Sequence, residues 1–219
     1  MLRRYFGPGL GYTIGPTRID SLSTNALRNQ VSRQRYKRLI VFDCQQIKAV
    51  FEQIFGETHQ ICLMGGAEEP VYLPAAPPAQ PCNLLIHTRD YPASALHEIA
   101  HWCLASDAQL QCRDWGHWYL PDGRDAEQQR TFQRAEAKVQ AVEWMLSIAA
   151  GLPFRESSDN LNGEAMDDTG FKDQIHGHAL RFCERGFPAR AELLFGALVK
   201  TGGRSLVLSK ALFQREALG

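Results

Sequence analysis

The motif HEIAH, residues 97–101, lies within the stretch PASALHEIAHWCLA, residues 92–105. On an α-helix, residues four apart lie on one face about a turn from each other. Both imidazoles can therefore bind the same divalent metal ion while Glu98 lies beside it. Pro92 suits the first helical position, and no residue from 93 to 105 interrupts a helix. The stretch predicts a helix that carries two ligands of a metal site.

A third ligand is expected from the segment 126–150, which contains neither glycine nor proline and predicts one long helix. Its apolar residues recur along one face at Phe132, Ala135, Val139, Val142, Leu146 and Ala149. At about 100° per residue, Glu136 and Glu143 both fall at the edge of this face, where an inward carboxylate needs a partner. Either glutamate can complete the site, or be merely a solvated or salt-bridged residue, and the spacing does not choose between them.

Shorter elements precede and follow these two helices. Asp43 is suited to cap a helix that Gly56 ends. Short strands are predicted at 61–64, 71–73 and 83–88, and further helices at 171–185 and 189–200. We predict an α+β fold, a mostly helical single domain over residues 41–219, with a small β-sheet and the metal site between two helices.

The composition is typical of a folded globular domain. The chain has 219 residues, of which 44% are hydrophobic and 22% are charged. Its six cysteines form no C-x-x-C pair, which favours free thiols in a reducing compartment. No secretory signal is recognisable near Arg3 and Arg4, and no stretch approaches the length of a membrane span. The expected location is the cytoplasm, without membrane contact.

Residues 1–40 differ in charge from the rest of the chain. They contain eight arginines and lysines against the single acid Asp20, a net charge of +7, so the remainder carries −7 because the whole chain is neutral. One interpretation is a basic arm that contacts an acidic partner. We favour the other, a poorly ordered extension, because the segment lacks sustained apolar periodicity. Direct nucleic-acid binding is not expected.

Further motifs surround the histidine pair. They are EPVYLP at 69–74, Trp118-Tyr119, PDGRDA at 121–126, Phe132, the pattern E-x-K-x-Q-A at 136–141, AAGLPF at 149–154 and DNL at 159–161. Together with HEIAHWC they resemble the bacterial elongation factor P hydroxylase family over residues 42–200. Many metallopeptidases share HExxH alone, but the combination of PDGRDA with E-x-K-x-Q-A is not typical of them.

The resemblance implies a protein-lysine hydroxylase of the monooxygenase type whose metal is held by His97, His101 and Glu136. It thereby selects Glu136 over Glu143. Two histidines and one carboxylate are the ligand set of non-haem Fe(II) oxygenases, so Fe(II) is the implied metal and dioxygen the implied co-substrate. The implied substrate is the lysine of elongation factor P that already carries a β-lysyl group, which makes this translation factor the expected partner.

The segment 115–125 joins the two predicted metal helices. Because both its ends are close to the metal, its aromatic and charged residues are well placed to form the pocket wall. We expect Tyr119, Asp122 and Arg124 to contact the substrate or a co-substrate. The alternative is a hairpin-like structural turn built on the PDG sequence, with Trp118 and Tyr119 in the core. His117 is expected to be a bystander rather than a fourth ligand.

Glu98 is assigned as the catalytic residue, and its role distinguishes the possible functions. Zinc peptidases use the same three donors, and there the glutamate is a general base. In an oxygenase it can instead orient the groups around the metal. The alternatives to a hydroxylase are therefore an HExxH zinc metallopeptidase and a non-catalytic, metal-stabilised module that binds a translation factor.

Overall fold

A computed structural model of the protein describes residues 40–116, 126–157 and 169–218. Within these ranges the chain forms five α-helices and three β-strands. The helices are α1 (Cys44–Phe55), α2 (Pro92–Leu104), α3 (Ala126–Ala150), α4 (Thr169–Arg185) and α5 (Ala189–Thr201). The strands are β1 (Ile61–Ala67), β2 (Val71–Leu73) and β3 (Asn83–Thr88). The predicted α+β class, mostly helical with a small sheet, is confirmed.

The predicted basic extension, residues 1–40, lies outside the described residues except for Ile40. The backbone N–H of Ile40 donates to the carbonyl of Gly202 at 3.3 Å, just after α5. The N–H of Phe42 donates to the carbonyl of Ala150 at 3.2 Å, at the end of α3. These bonds tie the start of the described chain to the ends of two helices. The division of the chain at residues 40 and 41 stays a prediction.

The three strands form one sheet in the order β1–β3–β2, with β1 parallel and β2 antiparallel to β3. Leu63 and Tyr72 both pair with Leu85 of the central strand, and all three residues are buried. β1 continues beyond its predicted end at Met64 through a change in register. Gly66 has a φ of +93° there, a conformation that glycine adopts readily, and the strand resumes its pairing at Ala67.

The first helix fixes the position of α2. Asp43 accepts from the backbone N–H of Gln46 at 2.8 Å, and the Gln46 side chain accepts from the Asp43 N–H at 3.0 Å, which completes the predicted cap of α1. Phe51 and Phe55, on the buried face of α1, meet Trp102 of α2 edge-on, with ring centroids 5.2 and 4.8 Å apart. This buried aromatic cluster holds α2 against α1.

The third helix is central and packs against α2, α4 and α5. Four of its six residues predicted to face inward are buried, namely Val139, Val142, Leu146 and Ala149. The prediction was wrong for Ala135, which is exposed, and Phe132 is only partly buried. The N-terminal half of α3 therefore buries a different face from the one that its apolar residues indicate, because Gln129, Gln133 and Ala137 are buried there instead. Although α3 has 25 residues, no described helix is long and apolar enough to cross a membrane.

The segment 109–116, after α2, forms two short 3-10 turns and is held by Tyr72. Asp114 and Trp115 have φ values of 48° and 61°, a left-handed conformation that is unfavourable for residues other than glycine. The Tyr72 ring stacks on Trp115 at 4.0 Å, and the Tyr72 N–H donates to Asp114 at 2.9 Å. Its hydroxyl donates to the Leu110 carbonyl, also at 2.9 Å. One strand residue thus fixes the chain just before the predicted pocket segment.

The change Tyr72→Phe is expected to lower the free energy of unfolding by about 1 kcal/mol, because it removes one buried hydrogen bond and retains the aromatic stacking. Urea denaturation measures this difference. Tyr91→Phe is the matched control, since Tyr91 is 55% exposed and, among the residues that the structure describes, its hydroxyl meets only the exposed Arg89, at 3.4 Å. Equal losses in the two variants would contradict the proposed contribution of the Tyr72 hydroxyl.

Candidate metal centre

The second helix brings His97 and His101 together, as their four-residue spacing predicts. Their Nε2 atoms are 3.2 Å apart, and their rings, with centroids 4.9 Å apart, are nearly perpendicular at 76°. Both rings present the same nitrogen to the same small volume. The two side chains keep 21% and 16% of their surface exposed, so the pair is accessible from solvent.

Glu136, from the middle of α3, completes the cluster. Its Oε2 lies 3.6 Å from Nε2 of His97, and its Oε1 lies 3.4 Å from Nε2 of His101. Glu136 is only 2% exposed, so its carboxylate forms the inner wall of a site whose outer side is formed by the histidines. The structure therefore brings together all three residues that were predicted as ligands.

The separations between the two imidazole nitrogens, and from each nitrogen to an oxygen of the Glu136 carboxylate, suit a divalent transition metal ion. Bonds of about 2.1 Å place two ligand atoms about 3.0 Å apart at a right angle and about 3.4 Å apart at the tetrahedral angle. The observed separations of 3.2, 3.4 and 3.6 Å lie close to this range. Two imidazoles with one carboxylate can hold either zinc or non-haem iron and leave further coordination positions open.

Glu98 lies on α2 next to His97 and is 9% exposed. Burial raises the pKa of Glu98 to about 7; the charge of His97 lowers this pKa, whereas the carboxylates of Glu136, Glu143 and Asp114 raise it. A carboxyl group with a pKa near 7 can take up or release a proton at neutral pH. The residue assigned as catalytic thus lies beside the candidate ligands in a buried, acidic environment.

Glu143 contacts the opposite side of the His97 ring. Its Oε2 lies 2.8 Å from Nδ1 of His97, whereas Glu136 faces Nε2 of the same ring. The sequence leaves Glu143 either as a rival of Glu136 for the metal or as a solvated or salt-bridged residue, and neither alternative describes this contact with His97. The available signal was their separation of seven residues, or two helical turns, which puts both carboxylates on one face. That separation does not show which ring nitrogen each carboxylate reaches.

The buried face of α3 also carries a polar strip that was missed in the sequence. Its members are Gln129, Gln133, Glu136, Gln140, Glu143 and Ser147, all of them buried. They are spaced alternately by four and three residues, which is the period of one helix face and was visible in the sequence. Gln140 exchanges two hydrogen bonds with the backbone of Ser157, at 2.6 and 3.1 Å. The candidate ligand Glu136 is therefore part of a longer row of buried polar side chains on α3.

The acidic surroundings change the protonation of His97. Burial lowers the pKa of His97, but the hydrogen bond to Glu143 and the charges of Glu143, Glu136 and Glu98 outweigh burial and raise it to about 10. Without a metal ion, His97 therefore carries both ring protons at neutral pH. The positive imidazolium then offsets part of the negative charge of the three carboxylates.

The predicted substrate contacts Tyr119, Asp122 and Arg124 lie outside the described residues, as does His117. Their roles stay predictions. The residues before this gap end at Gly116, the last residue of the segment that Tyr72 holds. The residues after it begin at Ala126, the first residue of α3.

Fold and site together define an α+β protein with a candidate metal centre made of HExxH on one helix and a glutamate on another. The sequence profile of the elongation factor P hydroxylase family matches residues 50–213. The chain is also 44% identical over 155 residues to the elongation factor P lysine hydroxylase of Haemophilus influenzae, an alignment that covers 71% of this chain and 86% of that relative.

The chain therefore belongs to the elongation factor P hydroxylase family. The resemblance predicted from the motifs is confirmed, and the protein is an enzyme of the hydroxylase class. The matched residues include α2 and α3 with all three candidate ligands, whereas residues 1–49 lie before the match.

Binding of a divalent ion at Nε2 of His97 is expected to release at least one proton at pH 7, because the metal-free ring holds both of its protons up to a pKa of about 10. Zinc affinity should then rise about tenfold for each pH unit between pH 6 and 7.5. Calorimetry in two buffers of different ionisation enthalpy measures the released protons. A binding enthalpy and an affinity that depend on neither buffer nor pH would contradict this expectation.

Proposed function

We propose that this protein hydroxylates a lysine side chain of elongation factor P at a metal ion bound by His97, His101 and Glu136. The observation that carries the proposal is the convergence of two imidazole nitrogens and a buried carboxylate, from two helices, at separations of 3.2 to 3.6 Å. The Haemophilus influenzae relative, which is named a lysine hydroxylase of elongation factor P, supports the substrate. A reaction on a translation factor has the cytoplasm as its proposed location.

The proposed metal is Fe(II), and the proposed co-substrate is dioxygen. Two histidines and a carboxylate occupy three positions around non-haem iron and leave others open. Iron bound there would supply the redox chemistry by which one oxygen atom of dioxygen enters a C–H bond and the other leaves as water, a reaction that takes two electrons and two protons from an external reductant. The protein leaves the histidine side of the cluster partly exposed and buries the Glu136 side, so the substrate is proposed to approach from the histidines.

The proposed substrate is the lysine that already carries a β-lysyl group, a long side chain with positive amino groups. The charge of the site supports this choice. Glu98 lies beside the histidines, and Asp114 is near enough to contribute to the raised pKa of Glu98. Such negative charge attracts a cationic side chain. We propose that Tyr119, Asp122 and Arg124 provide the further contacts that hold the substrate.

Glu98 is proposed to orient the groups around the metal and to exchange a proton near neutral pH, as its pKa of about 7 allows. A second function, that of a zinc metallopeptidase, is favoured by one observation, the HExxH spacing on α2. In that reaction Glu98 would instead accept the proton of the attacking water. The two functions therefore place different demands on the same carboxyl group.

The variants His97→Ala, His101→Ala and Glu136→Ala are each expected to lose most of the bound iron, because two remaining ligands hold a divalent ion weakly. Iron per chain after desalting measures the loss, and circular dichroism shows whether the fold is retained. Glu127→Ala, in the first turn of the same helix as Glu136, is the control and should keep its iron. Full occupancy in Glu136→Ala would remove that residue from the site.

Intact-mass measurement of β-lysylated elongation factor P, incubated with the iron-loaded protein and an external reductant, tests the reaction. The expected result is the gain of one oxygen atom in air and no gain under nitrogen. Glu98→Gln should keep the iron and lose about 10- to 100-fold in rate, as for residues that orient metal ligands. Glu57→Gln, an exposed change on the loop after α1, is the control.

Other outcomes would identify the alternatives. Peptide cleavage that continues under nitrogen and is abolished in Glu98→Gln would establish a metallopeptidase. Binding of elongation factor P without any change in its mass, in either atmosphere, would identify a non-catalytic module.

A further inference from the structure

We propose that Glu143 is a positioning residue, which fixes the tautomer and the ring orientation of His97 so that Nε2 is presented to the metal. This inference rests on the proposed function, because it requires His97 to bind a metal ion. It concerns a residue that does not itself belong to the cluster of candidate ligands.

The geometry places His97 between two carboxylates of α3. Nε2 faces Glu136 at 3.6 Å and His101 at 3.2 Å, whereas Nδ1 faces Glu143 at 2.8 Å. Glu136 and Glu143 are two helical turns apart on the same face of α3. The single imidazole of His97 therefore lies between the carboxylates of Glu136 and Glu143. Each of its two nitrogens faces one of them.

The chemistry of a neutral imidazole assigns the proton. Such a ring has one N–H and one lone pair, and a metal ion needs the lone pair. If Nε2 binds the metal, the N–H lies on Nδ1, where it donates to Oε2 of Glu143. A carboxylate in this position fixes the tautomer and increases the electron density of the ring.

The burial of Glu143 supports the same role. Glu143 is 7% exposed, and a buried carboxylate is costly unless it is paired. Among the ion pairs of the described residues, the only partner of Glu143 is His97. Within the described residues, the contact that compensates the burial of the Glu143 carboxylate is thus the one with His97, a candidate metal ligand.

The test is the affinity for zinc, used as the probe ion and measured by competition with a chelator. Glu143→Ala is expected to bind zinc 10- to 100-fold more weakly than the wild type, because His97 loses the acceptor that orients it. Glu143→Gln keeps an acceptor oxygen and should recover most of the affinity. Ser147→Ala, one turn further along the same buried face, is the matched control and should bind zinc like the wild type.

A second readout follows the tautomer directly. In zinc-loaded protein with labelled histidine, nitrogen NMR should show His97 protonated at Nδ1 in the wild type and in Glu143→Gln. In Glu143→Ala this proton should exchange rapidly with solvent. A merely structural glutamate would change the unfolding of the metal-free protein and leave both zinc affinity and the Nδ1 proton unaltered.

Three results would overturn the inference. Equal zinc affinities of the wild type and Glu143→Ala would show that Glu143 does not act on the metal site. Equal losses in Glu143→Ala and Glu143→Gln would show that charge alone, rather than the accepted hydrogen bond, matters. A wild-type protein that binds neither zinc nor iron would overturn the metal centre itself, and the role of Glu143 with it.

Discussion

The contact between His97 of α2 and the two carboxylates of α3 is the interaction on which the rest of the site depends. Glu136 faces Nε2 and Glu143 faces Nδ1, so one imidazole joins the two helices. A carboxylate that is removed from water loses several kcal/mol of hydration, and this loss has to be offset by partners inside the protein. The core can contain both glutamates because α2 presents histidines to them, and this requirement fixes the rotation of each helix about its own axis.

The opposite side of α2 is held by apolar packing. Trp102 lies against Phe51 and Phe55 of α1, and Arg190 of α5 covers the indole ring with its guanidinium group 4.7 Å from the ring centroid. Arg190 also donates to the carbonyl of Ala105, at the end of α2. A metal site binds its ion more tightly when its ligands are already held near their bound separation, and these contacts pack α2 on a face that does not carry the histidines.

The small sheet contributes to the site through Tyr72. This strand residue stacks on Trp115 and donates its backbone N–H to Asp114; these are two of the four described residues other than glycine whose backbone is left-handed. Strained backbone of this kind costs about 1–3 kcal/mol per residue and is common next to functional sites. Here it lies directly before the segment that carries the predicted substrate contacts, and Asp114 adds negative charge near Glu98.

The sequence by itself determined the elements and the family. The helix over residues 126–150 has its predicted bounds, and the helix that carries HEIAH and the three strands form where they are expected. These elements are predictable because periodicity and helix caps act over only a few residues of sequence. The exposure of Ala135 was not predictable, since it depends on how far the neighbouring helices cover α3. Only the tertiary structure decided which carboxylate meets which nitrogen of His97. Glu136 and Glu143 share one face of α3, so the way in which α3 crosses α2 decides which of them faces Nε2 and which faces Nδ1. The spacing of residues along one helix contains no information about that crossing.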